Sequence, residues 1–255
     1  MISNLAYVHP DAKIGNNVTI EAFAYVAGNV VIGDDSYLAP HAVVLDGARL
    51  GKGCKVHSGA VVSGIPQDLK FKGEETLAII GDNTTIRESV TINRGTAAKG
   101  KTVIGNNCLI MAYAHVAHDC IVGNNVIIVN SVSVAGEVEI GDFAILGGHS
   151  AVHQFVKIGR HAMIAGGALL GKDVPPYVTA GHLVAEYKGL NSIGLKRRGF
   201  TSSDITSIQD IYRILMCEGI NVSQAVEQVE KEIEESKFKT EILAFVKSSK
   251  RGILR

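Results

Sequence analysis

Aliphatic residues recur at every sixth position along most of the chain, and this spacing constrains the fold more than any other feature. Steps of six from Val8 to Leu170 give 28 positions, of which 25 are Val, Ile or Leu. A helix has a period of about 3.6 and a strand a period of two, so neither explains the repeat. A six-residue period is typical of a parallel β-helix, in which each hexad forms a short strand and a corner.

A second inward position, two residues before each aliphatic one, carries small side chains. It holds Ala, Ser or Cys in many hexads: Ala12, Ala24, Ser36, Ala42, Ala48, Cys54, Ala60, Cys108, Ala114, Cys120, Ala144, Ser150, Ala162 and Ala168. Three of the four cysteines belong to this set, which indicates packing rather than chemistry. The cysteines are widely spaced and no signal peptide is visible, so we expect reduced thiols in a cytoplasmic protein.

An aliphatic–Gly step marks the length of one coil. It recurs mostly at intervals of three hexads, as from Gly15 to Gly33 and on to Gly51, which predicts three hexads per coil. The interval from Gly51 to Gly81 is longer by two hexads, and the interval from Gly81 to Gly105 is longer by one. We therefore expect loop excursions near residues 63–79 and 93–102. Excursions from a rigid repeat often carry function.

The repeat ends at a proline pair, and the pattern then changes. We predict a β-helix over residues 1–178, a connecting segment over 179–200 and a small α-helical domain over 201–255. Apolar residues at helical spacing, such as Ile205 and Ile208, indicate amphipathic helices that pack on the prism formed by the β-helix or on a neighbouring subunit.

Charge and hydropathy argue against a dedicated nucleic-acid binder and against a membrane span. Lys plus Arg equal Asp plus Glu, 25 each, whereas a dedicated nucleic-acid binder usually carries a basic excess. No uninterrupted apolar stretch reaches the roughly 20 residues that a membrane span needs.

A polar cluster at His118 and Asp119 is the strongest candidate for chemistry. One coil of three hexads places Gly136 next to His118, and two coils place Gln154 on the same corner. A histidine near an acid, with a glycine N–H one coil away, could supply a general base and an oxyanion donor. Solvated corner residues are the alternative, and spacing alone does not separate the two interpretations.

Two further interpretations are open from the residues. His115, His118 and His153 could bind zinc, although His115 is on a strand and His118 at a corner, so their side chains should diverge. Arg197 and Arg198 could clamp a diphosphate or could be solvated. A third interpretation is a non-catalytic scaffold, which would need only the aliphatic residues at every sixth position, here called the aliphatic grid.

Longer motifs resemble the bacterial UDP-N-acetylglucosamine 3-O-acyltransferases, which begin lipid A synthesis. The motifs are Gln67–Lys70, Ile86–Thr96, Ala114–Cys120, Ala151–Phe155, Asp173–Val178 and Gly194–Phe200. The resemblance implies a left-handed coil, a homotrimer and active sites in clefts between neighbouring prisms.

The resemblance also implies a mechanism. His118 would be the general base for the sugar 3-hydroxyl, Asp119 would orient it, and the Gly136 N–H would hold the oxyanion. An unperturbed imidazole titrates near pH 6.5, which suits a base at neutral pH. The donor would be a 3-hydroxyacyl chain on the phosphopantetheine of acyl carrier protein, transferred directly without a metal, a further cofactor or an acyl-enzyme.

The acceptor implied by the resemblance is UDP-N-acetylglucosamine or its 3-amino analogue. The implied substrate-binding residues are Gln67, Asp68, Lys70, His115, His153, Gln154, Asn191, Arg197 and Arg198. The last three lie in the connecting segment 179–200 and would contact the nucleotide. Gly166 matches a position that helps to set acyl length. Two positions depart from the family pattern: Glu137 stands where a histidine is frequent, and Ile193 where an acidic residue can contact the nucleoside.

Overall fold

A computed structural model describes residues 1–255. The chain winds around a triangular prism whose three faces are parallel sheets, and successive strands belong to successive faces. Each strand pairs with the strand one coil later. For example, the strand that begins at Tyr25 pairs in parallel with the strand that begins at Val43. The predicted coil of three strands is therefore confirmed.

Most strands are only two residues long. The first sheet contains Tyr7–Val8, Tyr25–Val26, Val43–Val44, Val61–Gly64, Thr91–Asn93, His115–Val116, Ser133–Val134, Ala151–Val152 and Leu169–Leu170. The second contains Lys13–Ile14, Val31–Ile32, Ala48–Leu50, Leu77–Ile80, Lys101–Ile104, Ile121–Val122, Glu139–Ile140 and Lys157–Ile158. The third contains Thr19–Ile20, Tyr37–Leu38, Lys55–Val56, Thr85–Ile86, Leu109–Ile110, Ile127–Ile128, Ile145–Leu146, Met163–Ile164, Val178–Gly181 and Glu186–Leu190.

The aliphatic grid forms the core of the prism. From Ile20 to Leu170, every Val, Ile or Leu of the grid is buried. Burying one such side chain contributes about 1.5–3 kcal/mol, so the repeat itself supplies most of the driving force for coiling. Cys54, Cys108 and Cys120 are buried free thiols, which confirms that these three cysteines pack in the core.

The glycines of the aliphatic–Gly step are required by close approach between coils. A Cβ on Gly33 would lie 2.5 Å from the carbonyl carbon of Gly51. The left-handed backbone lies two residues later, at Asp35 with a φ of 60°. Asp34 stabilises the same corner, since its Oδ1 accepts the Asn16 N–H at 2.8 Å. These glycines are therefore required by the stacking of coils and not by the conformation of the corner.

Two excursions leave the prism where a coil is longer than three hexads. The first excursion comprises residues 65–76, and the second excursion comprises residues 94–100. Arg94 joins them, because its guanidinium carbon lies 5.4 Å from the centroid of the Phe71 ring. The two excursions therefore pack as one unit on the outside of the prism.

Four helices follow the strands: α1 (Ser192–Arg197), α2 (Ser202–Leu215), α3 (Val222–Glu232) and α4 (Lys237–Ser248). They dock on the last coils of the same chain. The Tyr212 hydroxyl in α2 donates to the Pro176 carbonyl at 2.6 Å, and the Ser249 hydroxyl donates to Asp173 at 2.6 Å. None of the helices combines the length and the apolar character needed to cross a membrane.

The segment predicted as a connection over residues 179–200 contains regular structure. Its strand Glu186–Leu190 pairs antiparallel with Val178–Gly181 and extends the third sheet, and α1 follows. This hairpin interrupts the six-residue period, so the repeat alone gave no indication of it.

Candidate active site

A cleft of about 750 Å³ opens on the first sheet beside the first excursion. Its floor includes the outward side chains His115, Ser133 and Ala151, which stack on successive coils. It is also lined by Gln67, Asp68 and Lys70 of the first excursion and by His118, Gly136 and Gln154 of the adjacent corner. The structure therefore brings seven of the predicted site residues to one cleft: these six and His115.

His118 and Asp119 form a buried pair at this corner. The Nδ1 of His118 lies 2.8 Å from the Oδ2 of Asp119, and the Asp119 side chain is wholly buried. An ionised carboxylate only accepts hydrogen bonds, so Nδ1 carries the proton of the neutral imidazole and Nε2 carries the lone pair. The pair thus directs a basic nitrogen towards the cleft.

Gly136 lies directly against His118, one coil further along the prism. A Cβ on Gly136 would lie 2.6 Å from His118 Nε2 and 3.3 Å from Gln154 Nε2. The three predicted corner residues therefore stack as expected. The Gly136 N–H donates to no acceptor in the protein, whereas the N–H of Asn124 at another corner donates to Asp142 at 2.7 Å. This free donor is available to a bound ligand.

The first excursion covers His118. The Oδ2 of Asp68 lies 4.0 Å from His118 Nε2, and only 7% of His118 is exposed. His118 faces out of the prism, but a solvated corner residue, the alternative interpretation of the sequence, would be far more exposed. A turn fixes the excursion, because Asp68 Oδ1 accepts the Lys70 N–H at 2.9 Å.

The other two histidines have separate partners. His115 Nδ1 lies 2.7 Å from the Thr91 hydroxyl, and burial, with a smaller effect of His118, lowers the pKa of His115. His153 is exposed outside the cleft, with its Nδ1 3.1 Å from the Gln154 carbonyl. His115 and His118 both line the cleft, so they diverge less than expected. No three His, Cys, Asp or Glu side chains are arranged to hold a metal ion.

The predicted nucleotide-binding residues lie outside this cleft. Asn191 caps α1, since its Oδ1 accepts the Gly194 N–H at 3.2 Å, and its Nδ2 donates to the His161 carbonyl at 2.9 Å. Arg197 is exposed. The guanidinium carbon of Arg198 lies 5.5 Å from the centroid of Phe143, and burial lowers the pKa of Arg198.

Gly166 lies on a different corner from His118. It stacks on Gly148, whose carbonyl oxygen would lie 3.2 Å from a Cβ built on Gly166. Within one chain, therefore, the acyl-length and nucleotide candidates do not meet the catalytic candidates. Ser133 and Ala151 on the cleft floor were not among the predicted site residues, although stepping one and two coils on from His115 identifies both.

Two known families match the sequence. The bacterial transferase hexapeptide family, with six repeats, matches residues 11–46, 29–64 and 101–136. The second domain of UDP N-acetylglucosamine O-acyltransferase matches residues 173–254. One family thus matches within the prism and the other matches the C-terminal end of the chain.

Curated relatives match the chain over nearly its whole length. The acyl-[acyl-carrier-protein]–UDP-N-acetylglucosamine O-acyltransferase of Chlorobaculum parvum is 61% identical over 255 residues, covering 97% of each protein. The enzyme of the same name from Trichlorobacter lovleyi is 52% identical over 254 residues, covering 98% of this chain and 97% of the relative.

Solved structures of similarly named enzymes also match the whole chain. The UDP-N-acetylglucosamine acyltransferase of Bacteroides fragilis superposes with a TM-score of 0.98 at 51% identity, covering both chains completely. The enzyme of Francisella novicida gives 0.96 at 41% identity, covering 100% of this chain and 94% of that one. Coils of opposite hand could not superpose so closely, and the coil is left-handed like that of these neighbours. The chain belongs to the family of acyl-[acyl-carrier-protein]–UDP-N-acetylglucosamine O-acyltransferases.

Proposed function

We propose that this protein transfers a 3-hydroxyacyl chain from acyl carrier protein to the 3-position of UDP-N-acetylglucosamine, the first step of lipid A biosynthesis. The observation that carries the proposal is the buried His118–Asp119 pair facing the free N–H of Gly136 in one cleft. The names of the relatives, which include acyl carrier protein and the nucleotide sugar, support this choice of substrates.

In the first step, Nε2 of His118 removes the proton from the 3-hydroxyl while its oxygen attacks the thioester carbonyl. Asp119 stabilises the imidazolium that forms, because its carboxylate lies 2.8 Å from Nδ1. A positioned base of this kind contributes typically 10²–10⁴-fold to the rate. The unprotonated Nε2 in the resting tautomer supports this role.

In the second step, the tetrahedral oxyanion accepts a hydrogen bond from the Gly136 N–H. Removing one such donor costs about 3–4 kcal/mol in comparable enzymes. The intermediate then expels the phosphopantetheine thiolate, which takes the proton from His118. The ester bond forms as the thioester bond breaks, so the proton and the electron pairs balance without a cofactor.

Direct transfer needs no acyl-enzyme. Cys120 is the thiol next to the pair in sequence, but its Sγ points into the prism and lies 3.1 Å from the Ala135 carbonyl. Burial raises the pKa of Cys120 to about 12, so a thiolate nucleophile does not form near neutral pH. This supports attack by the sugar hydroxyl itself.

Substrate binding in this proposal uses Gln67, Asp68 and Lys70 of the first excursion. It also uses His115 and Gln154, which line the cleft, and His153, which lies beside Gln154. We also propose a homotrimer in which Asn191, Arg197 and Arg198 of one chain hold the nucleotide in the cleft of a neighbour. Their position outside the cleft of their own chain supports this arrangement.

The direct test is an assay of the purified protein with 3-hydroxyacyl chains of several lengths on acyl carrier protein. UDP-N-acetylglucosamine and its 3-amino analogue serve as acceptors, and product masses identify the transfer. His118→Ala should abolish transfer while the protein remains folded, whereas His41→Ala, at an exposed site outside the cleft, should retain it. Turnover by the His118 variant would contradict the mechanism.

Mixed oligomers test the shared site. His118→Ala chains and Arg197→Ala/Arg198→Ala chains should each be inactive alone. If the arginines serve a neighbouring cleft, co-refolding the two variants should restore part of the activity, because some clefts then combine an intact His118 with intact arginines. If no activity were restored although sedimentation showed a trimer, the arginines would act in the site of their own chain.

A further inference from the structure

The carboxylate of Asp119 is held from two directions. His118 donates to Oδ2 on one side. Thr96 supplies two more donors, its N–H to Oδ1 at 3.0 Å and its hydroxyl to Oδ2 at 2.6 Å. The buried carboxylate therefore has donors on both oxygens, as an ionised group out of contact with water requires.

The proton of the Thr96 hydroxyl has a defined direction. Its oxygen lies 3.2 Å from the Ala98 nitrogen and accepts that N–H, so its own proton is directed to Asp119. Thr96 lies in the second excursion, is 6% exposed and does not line the cleft. A hydrogen-bonded chain thus runs from Ala98 through Thr96 to Asp119 and His118.

We propose that Thr96 is a positioning residue for the transfer reaction, and that the second excursion serves to bring it to Asp119. Thr96 holds the Asp119 carboxylate in place against Nδ1 of His118, which directs the unprotonated Nε2 to the cleft. This inference rests on the proposed role of His118 as the base. It assigns to the motif around Asn93–Thr96 a function that neither its sequence nor the cleft lining indicates.

The contribution of Thr96 differs between the two protonation states of the pair. When His118 is neutral, the buried negative charge of Asp119 depends on hydrogen-bond donors. When His118 is protonated, the imidazolium itself compensates that charge. Losing the Thr96 hydroxyl therefore disfavours the neutral, active form more than the protonated form. Activity should then require a higher pH.

The test compares Thr96→Val with Thr96→Ser and with a matched control. Thr96→Val should lower kcat about 10- to 100-fold, the effect expected for one lost hydrogen bond to a charged group. KM for the nucleotide sugar should change less than about twofold, because Thr96 lies outside the cleft. The acidic limb of the pH–rate profile should move to higher pH, and Thr96→Ser should restore both kcat and the profile.

Thr76→Val is the control. Thr76 is also buried, and its hydroxyl donates to the Gly95 carbonyl of the second excursion at 2.6 Å, but it does not contact Asp119. It should leave the pH–rate profile unchanged. An equal kcat loss with an equal pH shift in both valine variants would show a general packing role and overturn the inference.

Two further outcomes are decisive. A wild-type kcat and pH profile in Thr96→Val, together with an inactive His118→Ala, would overturn the inference alone. An active His118→Ala would overturn the proposed function and this inference with it. If Thr96→Val does not fold, Thr96→Ala removes the same hydroxyl without inserting a methyl group in its place, and the same kinetic criteria apply.

Discussion

A Cβ on Gly136 would lie 2.6 Å from Nε2 of His118, so the imidazole packs against the bare α-carbon of the next coil. The φ of Gly136 is outside the left-handed region, so its backbone does not require glycine. The missing side chain makes room for the base, and the N–H of the same residue is free to donate. One residue therefore fixes both the place of the base and the place of the oxyanion donor.

Gly136→Ala should inactivate the enzyme without unfolding it. The new methyl group must displace the His118 ring, and a shift of about 1 Å in a catalytic group can cost about 10²-fold in rate. We expect kcat to fall at least 100-fold with little change in thermal unfolding. Gly171→Ala is the matched control, since a Cβ there has no neighbour within 4 Å. Wild-type kcat in the Gly136 variant would contradict the assigned stacking.

Acid should destabilise the fold through His161. Burial, with a smaller contribution from Arg160, lowers the pKa of His161 to about 4, whereas an unfolded histidine titrates near 6.5. As the pH falls through this window, the unfolded chain takes up a proton that the folded chain does not. The free energy of unfolding should therefore fall, by up to about 3 kcal/mol between pH 7 and pH 4 from this residue.

His161→Phe should remove this part of the acid sensitivity. The ring of His161 stacks on Phe143 at a centroid distance of 4.9 Å, a geometry that phenylalanine can keep. Urea unfolding at pH 7 and pH 4 measures the change. The control is His41→Phe, whose exposed ring stacks on Phe23 at 5.2 Å. A pH dependence equal to that of the wild type in the His161 variant would argue against the buried neutral imidazole.

Thiol labelling should separate one cysteine from the other three. Burial raises the pKa of Cys54 to about 11 and of Cys120 to about 12, and Cys108 is buried as well, whereas Cys217 is exposed. Ellman's reagent at pH 8 should therefore titrate one thiol per native chain and all four in guanidinium. Cys217→Ala should reduce the native value to zero. Rapid reaction of a second native thiol would show that the prism opens.

Asp173 should anchor the C-terminal end of the chain. Its buried carboxylate accepts the Lys157 N–H at 2.8 Å and the Ser249 hydroxyl at 2.6 Å. Asp173→Ala removes both hydrogen bonds to a charged group, so we expect a loss of about 2–4 kcal/mol in the free energy of unfolding. Ser249→Ala, which removes one of them, should cost less. Chemical denaturation measures the change. If the Asp173 variant lost less than about 1 kcal/mol in the free energy of unfolding, apolar packing and not Asp173 would anchor this end of the chain.

The prism could be predicted because the same requirement, an aliphatic side chain that points into the core, recurs along the chain. A single aliphatic residue such as Val116 indicates little, but 25 of the 28 positions at this spacing carry an aliphatic residue, so the period is supported many times over. The coil length then places Gly136 and Gln154 beside His118 by addition alone. The same arithmetic works wherever a coil has three hexads, which is why the stacked part of the site could be predicted from the sequence.

The other half of the site depends on contacts that have no period. The covering of His118 by Asp68 depends on how the first excursion folds back, and no residue spacing encodes that path. Outside the site, the hydrogen bond between Asp173 and Ser249 likewise joins positions 76 residues apart. The capping role of Asn191 requires α1, which the predicted connecting segment did not contain. The individual roles of these residues in binding stay predictions.

The pairing of each strand with the strand one coil later restricts how this protein can vary in length. Deleting three consecutive hexads between the cleft and the helical domain would bring equivalent strands into contact and leave the aliphatic grid in place. Deleting part of a hexad would turn aliphatic side chains outwards, and deleting a single hexad would move every later strand to a different face. Outside the excursions, the separation of the cleft from the helices can therefore change only in whole coils, each about 4.8 Å.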